Sequence, residues 1–338
     1  MLLMDERQES IELFLEMEGW GKARGNPLTS DASFRRYTRL EDKNRRAILM
    51  DAPAPEEIGP FLSVAHHLSK LGYSAPKILA VDHKYGFILL EDFGDSTFTR
   101  LLAAGEQERE LYFLATDVLI DLHTHPAAEA IPQKQLSYSL DLLLAEAALL
   151  TDWFVPAAIG RLLSADVIQE FQDHWRSLIS LPVNIPESLV LRDYHVDNLM
   201  RLDDRSGIAA CGLLDFQDAV AGPVTYDLVS LIEDARRDVS PAIAKDVKQR
   251  YLAAFPNLDP NQFDLSMAVL GAQRHAKVIG IFTRLCVRDN KPSYLSHIPR
   301  VWRLLEAACE HPDLKIMQRW INLNIPTESR LLPEGFGT

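Results

Sequence analysis

The chain has 338 residues, 47% of them hydrophobic and 25% charged; this is ordinary globular composition, long for one small core and suited to two lobes. Its formal net charge of −13 argues against a nucleic-acid backbone as main partner, because counterion release needs clustered Lys and Arg. Cys211, Cys286 and Cys309 are odd in number and set among apolar residues, which points to buried thiols in a reducing compartment rather than a disulfide framework or a zinc site.

The segment Met1 to Ser10 is acidic, with neither the basic start nor the apolar stretch of a signal peptide. No uninterrupted apolar run reaches the roughly 20 residues of a membrane-spanning helix. A cytoplasmic, monomeric protein without a membrane or nucleic-acid partner is therefore expected. Apolar spacing predicts an amphipathic helix from Glu6 to Trp20. Short strands at Ser33 to Leu40 and Arg45 to Met50 flank the polar turn Glu41 to Asn44 and read as a β-hairpin. A helix from Glu56 to Leu71 stops at Gly72, and strands follow at Lys77 to Val81 and Phe87 to Leu90.

Beyond Gly94 the periodicity becomes helical, with segments near Glu106 to His123, Leu140 to Trp153 and Val167 to Leu181. Strand character returns at Ser188 to Leu191, Leu199 to Leu202 and Ile208 to Leu214, and from Tyr226 onward the chain is helical again. This order is α+β: a small β-rich N-lobe over residues 1–92 and a larger, mostly helical C-lobe over 93–338.

The chemistry concentrates between Leu189 and Asp227. There, Arg192-Asp193-Tyr194-His195-Val196-Asp197-Asn198 is followed by Leu214-Asp215-Phe216-Gln217-Asp218. Strand-like segments on either side can bring Asn198 and Asp215 to one point, a pair of hard oxygen donors suited to Mg²⁺ with room for waters and phosphates. Asp193 then stands nearby without needing to bind the metal. Singly, each of these residues is most simply explained by turn chemistry, and Asp218 is a good helix N-cap. What favours function is the joint order: Asp193, four residues, Asn198, then Asp215-Phe216 is the arrangement of a phosphoryl-transfer catalytic loop and its metal-binding Asp.

This window resembles that of the aminoglycoside phosphotransferase and choline kinase family of protein-kinase-like enzymes. Asp31 to Tyr37, Met50 to Pro53, Leu89 to Asp95, Arg192 to His195, Asp215 to Ala219 and Gln273 to His275 are most similar to the bacterial kinases that phosphorylate N-acetylmuramate and N-acetylglucosamine at C1 in cell-wall recycling. The resemblance implies an ATP- and Mg²⁺-dependent phosphotransferase acting on an amino sugar, with Asp193 as catalytic base and Asn198 and Asp215 as metal ligands. By the same resemblance, Ala32, Ser33, Phe34 and Arg35 belong to a turn over the nucleotide phosphates. Glu91 and Phe93 belong to the hinge that hydrogen-bonds adenine, and Asp227 is the buried brace of the catalytic loop. Met50 stands where the family at large carries a phosphate-binding Lys, and Arg35 and Arg36 are the nearby cations that could replace it. The alternatives are an aminoglycoside or amino-alcohol kinase, or a nucleotide-binding module without turnover. Arg274, His275 and Lys277, on a predicted helix, either line the acceptor pocket or form a solvated face.

Overall fold

The computed structural model describes residues 2–28 and 34–331. In chain order the elements are α1 (Leu2–Met17), β1 (Arg24–Leu28), β2 (Arg36–Asp42), β3 (Arg45–Asp51), α2 (Gly59–Lys70), β4 (Ile78–Asp82), β5 (Phe87–Leu90), α3 (Phe98–Ala103), α4 (Glu108–Thr124), α5 (Ala127–Ala130), α6 (Leu140–Leu149), α7 (Val155–Ile159) and α8 (Ala165–Ile179). They continue with β6 (Glu187–Val190), β7 (Leu199–Arg201), β8 (Cys211–Leu213), β9 (Val220–Pro223), α9 (Thr225–Ile232), α10 (Pro241–Ala254), α11 (Pro260–Val287), α12 (Ile298–Ala308), α13 (Lys315–Asn324) and α14 (Thr327–Arg330). Packing divides the chain into two units, Met1–Gln107 with Val196–Asp218, and Glu108–His195 with Ala219–Thr338.

The first unit is built on an antiparallel sheet in the order β1-β2-β3-β5-β4. The expected hairpin is there: β2 and β3 pair from Arg36↔Asp51 to Asp42↔Arg45, and Lys43 makes the tight turn at φ 54. Strand alternation puts Leu40, Ala47, Leu49, Phe87 and Leu89 in one cluster, closed by Phe14 of α1 and by Trp20. Strand β1 escaped the sequence reading because Arg-Gly-Asn-Pro-Leu looks like a turn. Pro27 is tolerated there because β1 is an edge strand.

The division expected at residue 92 runs through this first unit. The β7–β8 hairpin is tied to it by backbone bonds: Arg201 N donates to Ser96 O at 2.8 Å, Leu213 N to Ser74 O at 2.8 Å, and Thr99 N to Val196 O at 3.2 Å. At Gly212 an added Cβ would lie 2.9 Å from the Phe93 ring, so only glycine lets that ring sit on the strand. The expected strand Ile208 to Leu214 is shorter than predicted. Gly207–Ala210 forms a 3₁₀ turn and only Cys211–Leu213 pairs.

In the second unit, α11 is buried nearly all round. One core joins Ala147 and Leu150 with Phe171 and Trp175 of α8, Ala272, Ala276 and Ile279 of α11, and Trp302 of α12. The strand β9 was also unforeseen; Val-Ala-Gly-Pro reads as a loop until it pairs with β6, Val190 opposite Val220. Cys211, Cys286 and Cys309 are buried thiols, as expected. Among the described residues one helical run, Leu140–Ile159 with mean hydropathy 1.6, is long and apolar enough to cross a membrane by composition. It is interrupted by Asp141, Glu146 and Asp152, and Ala147, Leu150, Phe154 and Val155 are buried in the core just described.

Gly280 lets α11 approach that run. A Cβ there would lie 2.3 Å from both the carbonyl carbon and the oxygen of Leu149, backbone atoms that no rotamer change can move. Gly280→Ala is expected to destabilise the protein by about 1–3 kcal/mol, overriding the ~1 kcal/mol by which Ala favours a helix interior. Thermal or urea denaturation checks this, and a midpoint equal to or above wild type would contradict the close approach.

Candidate active site

Strand β6 ends at Val190 and delivers the loop that carries Asp193. Its geometry is set from below by Asp227, 1% exposed on α9. The Asp227 carboxylate accepts the backbone N–H of Leu191 at 2.6 Å and of Arg192 at 2.9 Å, as expected for the loop brace. Arg192 itself is left-handed, φ 68, a conformation that costs a non-glycine residue roughly 1–3 kcal/mol and needs surrounding contacts to hold it. Ser230 supplies one by donating to Arg192 O at 3.2 Å, and Arg274 Nη2 in turn donates to Ser230 Oγ at 2.9 Å. Tyr194 anchors the next residue by donating to Ala115 O at 2.8 Å. His195 lies 3.2 Å from an Arg236 nitrogen, so it holds the loop.

The loop carboxyl Asp193 and its brace Asp227 are driven apart electrostatically. Burial pushes Asp193 up, but Lys277, His195, Arg274 and Arg192 together outweigh it and hold the carboxyl below its usual range. Burial pushes Asp227 up to about 7, against the pull of the Leu191 and Arg192 amides. The same burial therefore leaves Asp193, among basic neighbours, the more acidic of the two, and Asp227 the less acidic.

Asn198 and Asp215 belong to the first unit, and the structure brings these two together. Asn198 immediately precedes β7, Asp215 follows β8, and Leu214 N donates to Asn198 O at 2.9 Å. The side chains meet with Asn198 Nδ2 at 3.4 Å from Asp215 Oδ2, and Gln217 Nε2 donates to Asp215 Oδ1 at 2.8 Å. Asp215 is exposed and left-handed, φ 57. The next residue, Phe216, is buried and stacks on Phe61 of α2, ring centroids 5.1 Å apart. A fixed aromatic beside a strained, exposed carboxylate is how the chain aims Asp215. Among the described residues no group of three His, Cys, Asp or Glu side chains is placed to hold a metal ion; the Asp215 carboxylate and, after a half-turn of its amide, the Asn198 oxygen are two neighbouring hard oxygens that could do so. Two hard oxygens with open places fit Mg²⁺, which keeps waters and phosphate oxygens in its shell.

Of the nucleotide-contact candidates, Ala32 and Ser33 lie outside the described residues. Phe34 is 64% exposed. Arg35 is neither solvated nor unattached: it is buried, with Nη2 3.1 Å from Glu56 Oε2 and donating to Glu57 O at 3.4 Å. Tyr37, pushed up to about 12 by burial, also hydrogen-bonds Arg35 and feels the charge of Asp215, so Arg35, Tyr37 and Asp215 share one neighbourhood. Arg36 stays exposed, 4.0 Å from Asp51. Met50 is fully buried opposite Ile88, an apolar replacement for a cation. Glu91 donates its N–H to Lys77 O at 2.9 Å and accepts Lys77 N at 3.2 Å on its carboxylate, which also pairs with Arg205. Arg205 covers the Phe93 ring at 5.1 Å.

Sequence reading missed two residues. Arg39 of β2 binds Asp92 at 2.8 Å, Asp95 at 3.0 Å and Gly94 O at 2.8 Å, clamping the segment after β5. Glu146 binds Arg192 and Lys277. A Glu isolated within the apolar run of α6 was the available signal, since a buried carboxylate requires partners.

The chain is 34% identical over 363 residues to the N-acetylmuramate/N-acetylglucosamine kinase of Caulobacter vibrioides, spanning 98% of this chain and 100% of that protein. It is 38% identical over 315 residues to the N-acetylmuramate/N-acetylglucosamine kinase of Pseudomonas aeruginosa, spanning 90% of each. Among solved structures, a putative aminoglycoside phosphotransferase from Ralstonia eutropha superposes with a TM-score of 0.65 at 14% identity, over 92% of this chain and 98% of that one. A choline/ethanolamine kinase family protein from Mesorhizobium loti does so with a TM-score of 0.63 at 13% identity, over 94% and 99%. These likenesses show the protein-kinase-like α+β fold expected from the sequence. Residues 24–260 match the model of the phosphotransferase enzyme family, and with that match and these relatives, the chain belongs to the phosphotransferase enzyme family.

Proposed function

We propose that the protein is an ATP- and Mg²⁺-dependent kinase that phosphorylates the anomeric hydroxyl of N-acetylmuramate or N-acetylglucosamine. The observation that carries this reading is Asp193, held on a braced loop as an anion among cations, in a chain whose full-length relatives are kinases of those two sugars. The acceptor hydroxyl hydrogen-bonds to the Asp193 carboxylate. Its oxygen forms the new bond to the γ-phosphorus, the bridging P–O bond breaks with its electrons leaving on ADP, and the hydroxyl proton passes to Asp193. Asn198 and Asp215 are the residues that hold Mg²⁺, which supplies charge neutralisation to the phosphates when bound. Residues Ala32 to Arg35 and the backbone from Glu91 to Phe93 are the nucleotide contacts of this reading.

Incubation with γ-labelled ATP and a panel of N-acetylmuramate, N-acetylglucosamine, aminoglycosides and amino alcohols tests it. Label is expected on the two sugars, as an acid-labile phosphate because the oxygen is a lactol oxygen. Transfer to an aminoglycoside or amino alcohol with none to either sugar would overturn the acceptor assignment. Absence of transfer to any acceptor, with ATP bound, would favour a module without turnover.

A further inference from the structure

Glu146 does more than fill α6. It is 7% exposed, and its carboxylate gathers donors from three other segments: Arg192 of the catalytic loop, Lys277 Nζ of α11 at 2.9 Å, the Tyr138 hydroxyl, and Gln273 Nε2 at 3.4 Å. Gln273 also donates to Leu143 O at 3.0 Å, tying α11 to α6 beside the cluster. Burial pushes Glu146 up, but Lys277, Arg192 and Tyr138 more than reverse this and keep it ionised.

A buried carboxylate with two cations on it is weak evidence of stability, because desolvation offsets most of the attraction. This network instead converges on the residue next to Asp193. Arg192 occupies the strained left-handed conformation, so the direction of the peptide leading into Asp193 depends on what anchors its side chain. Lys277, the other cation on Glu146, is the charge that acts most on Asp193. The charged and titratable groups acting on Asp193 include Lys277 and Arg274 from α11, Arg192 and His195 from its own loop, and Asp227 from α9. Glu146 touches two of the four basic groups among them.

We propose that Glu146 is the positioning residue of Asp193: by binding Arg192 and Lys277 together it sets the direction of the catalytic carboxylate and of the cation beside it. In this role Glu146 acts through those two side chains and not on the reactants. The inference rests on Asp193 being the base, as proposed above.

The test is Glu146→Gln, which keeps the shape and one acceptor oxygen and removes the charge. With thermal unfolding confirming a folded variant, kcat is expected to fall by about 10- to 100-fold, the scale of a small misplacement of a reacting group, while KM for ATP and for the sugar stays within about threefold. In an Asp193→Asn background the same change is expected to leave the residual rate untouched, because a residue acting through Asp193 has nothing left to position. A folded Glu146→Gln enzyme with wild-type kcat, or an equal further loss in the Asp193→Asn background, would overturn the proposal. If Glu146→Gln does not fold, Lys277→Gln decides: a similar loss of kcat supports the network and an unchanged kcat refutes it. Should Asp193→Asn itself turn over normally, the assignment of the base fails, a result separate from these.

Discussion

Asp193→Asn is expected to lower kcat by about 10²–10⁴-fold, the usual contribution of a positioned proton acceptor, with the dissociation constant for ATP changed by no more than a few-fold. Asparagine keeps the size and can still accept a hydrogen bond but cannot take the proton. Asp193 sits among Lys277, His195, Arg274 and Arg192, which hold its carboxyl ionised against burial; replacing it with a neutral amide leaves the cations Lys277, Arg274 and Arg192 facing no anion at that point. The variant is therefore expected to be somewhat less stable as well as nearly inactive. Steady-state transfer to the sugar, nucleotide titration and thermal denaturation separate the two effects. Turnover within tenfold of wild type in the folded variant would remove Asp193 from the chemistry.

Asp227→Ala is expected to have the next largest effect, on both stability and rate. It strips the acceptor from the N–H groups of Leu191 and Arg192, which lie at 2.6 and 2.9 Å from the carboxylate. An unsatisfied buried amide costs about 1–3 kcal/mol, so the pair should reduce stability by several kcal/mol unless water enters the space. Arg192 would also lose the bond that opposes its left-handed strain, and displacement of the adjoining Asp193 by about 1 Å is enough to lower the rate by ~10². Asp227→Asn should recover part of both losses, since its amide oxygen can serve one of the two N–H groups. Denaturation midpoints and kcat for the two variants check this ordering. Equal behaviour of Ala and Asn would mean that the hydrogen bonds to the loop are not what matters at this position.

The sequence by itself determined the elements whose patterns are local. The β2–β3 hairpin, β5 and the main helices follow from periods of two and 3.6 around clear turn residues. The order of Asp193, Asn198 and Asp215 could be read in the same way, as the spacing that a phosphoryl-transfer loop would need, and the fold brings Asn198 and Asp215 together. The tertiary structure decided whatever depends on partners distant in the chain. Strands β1 and β9 exist only because β2 and β6 offer edges to pair with; Gly, Asn and Pro hide them from any local reading. Arg35 reads as an exposed strand cation until Glu56 is seen beside it. Glu146 becomes meaningful only when Arg192 and Lys277, 46 and 131 positions away by number, arrive on its carboxylate. A buried charge is tolerated only where folding supplies its partners, and no local pattern records which partners those will be.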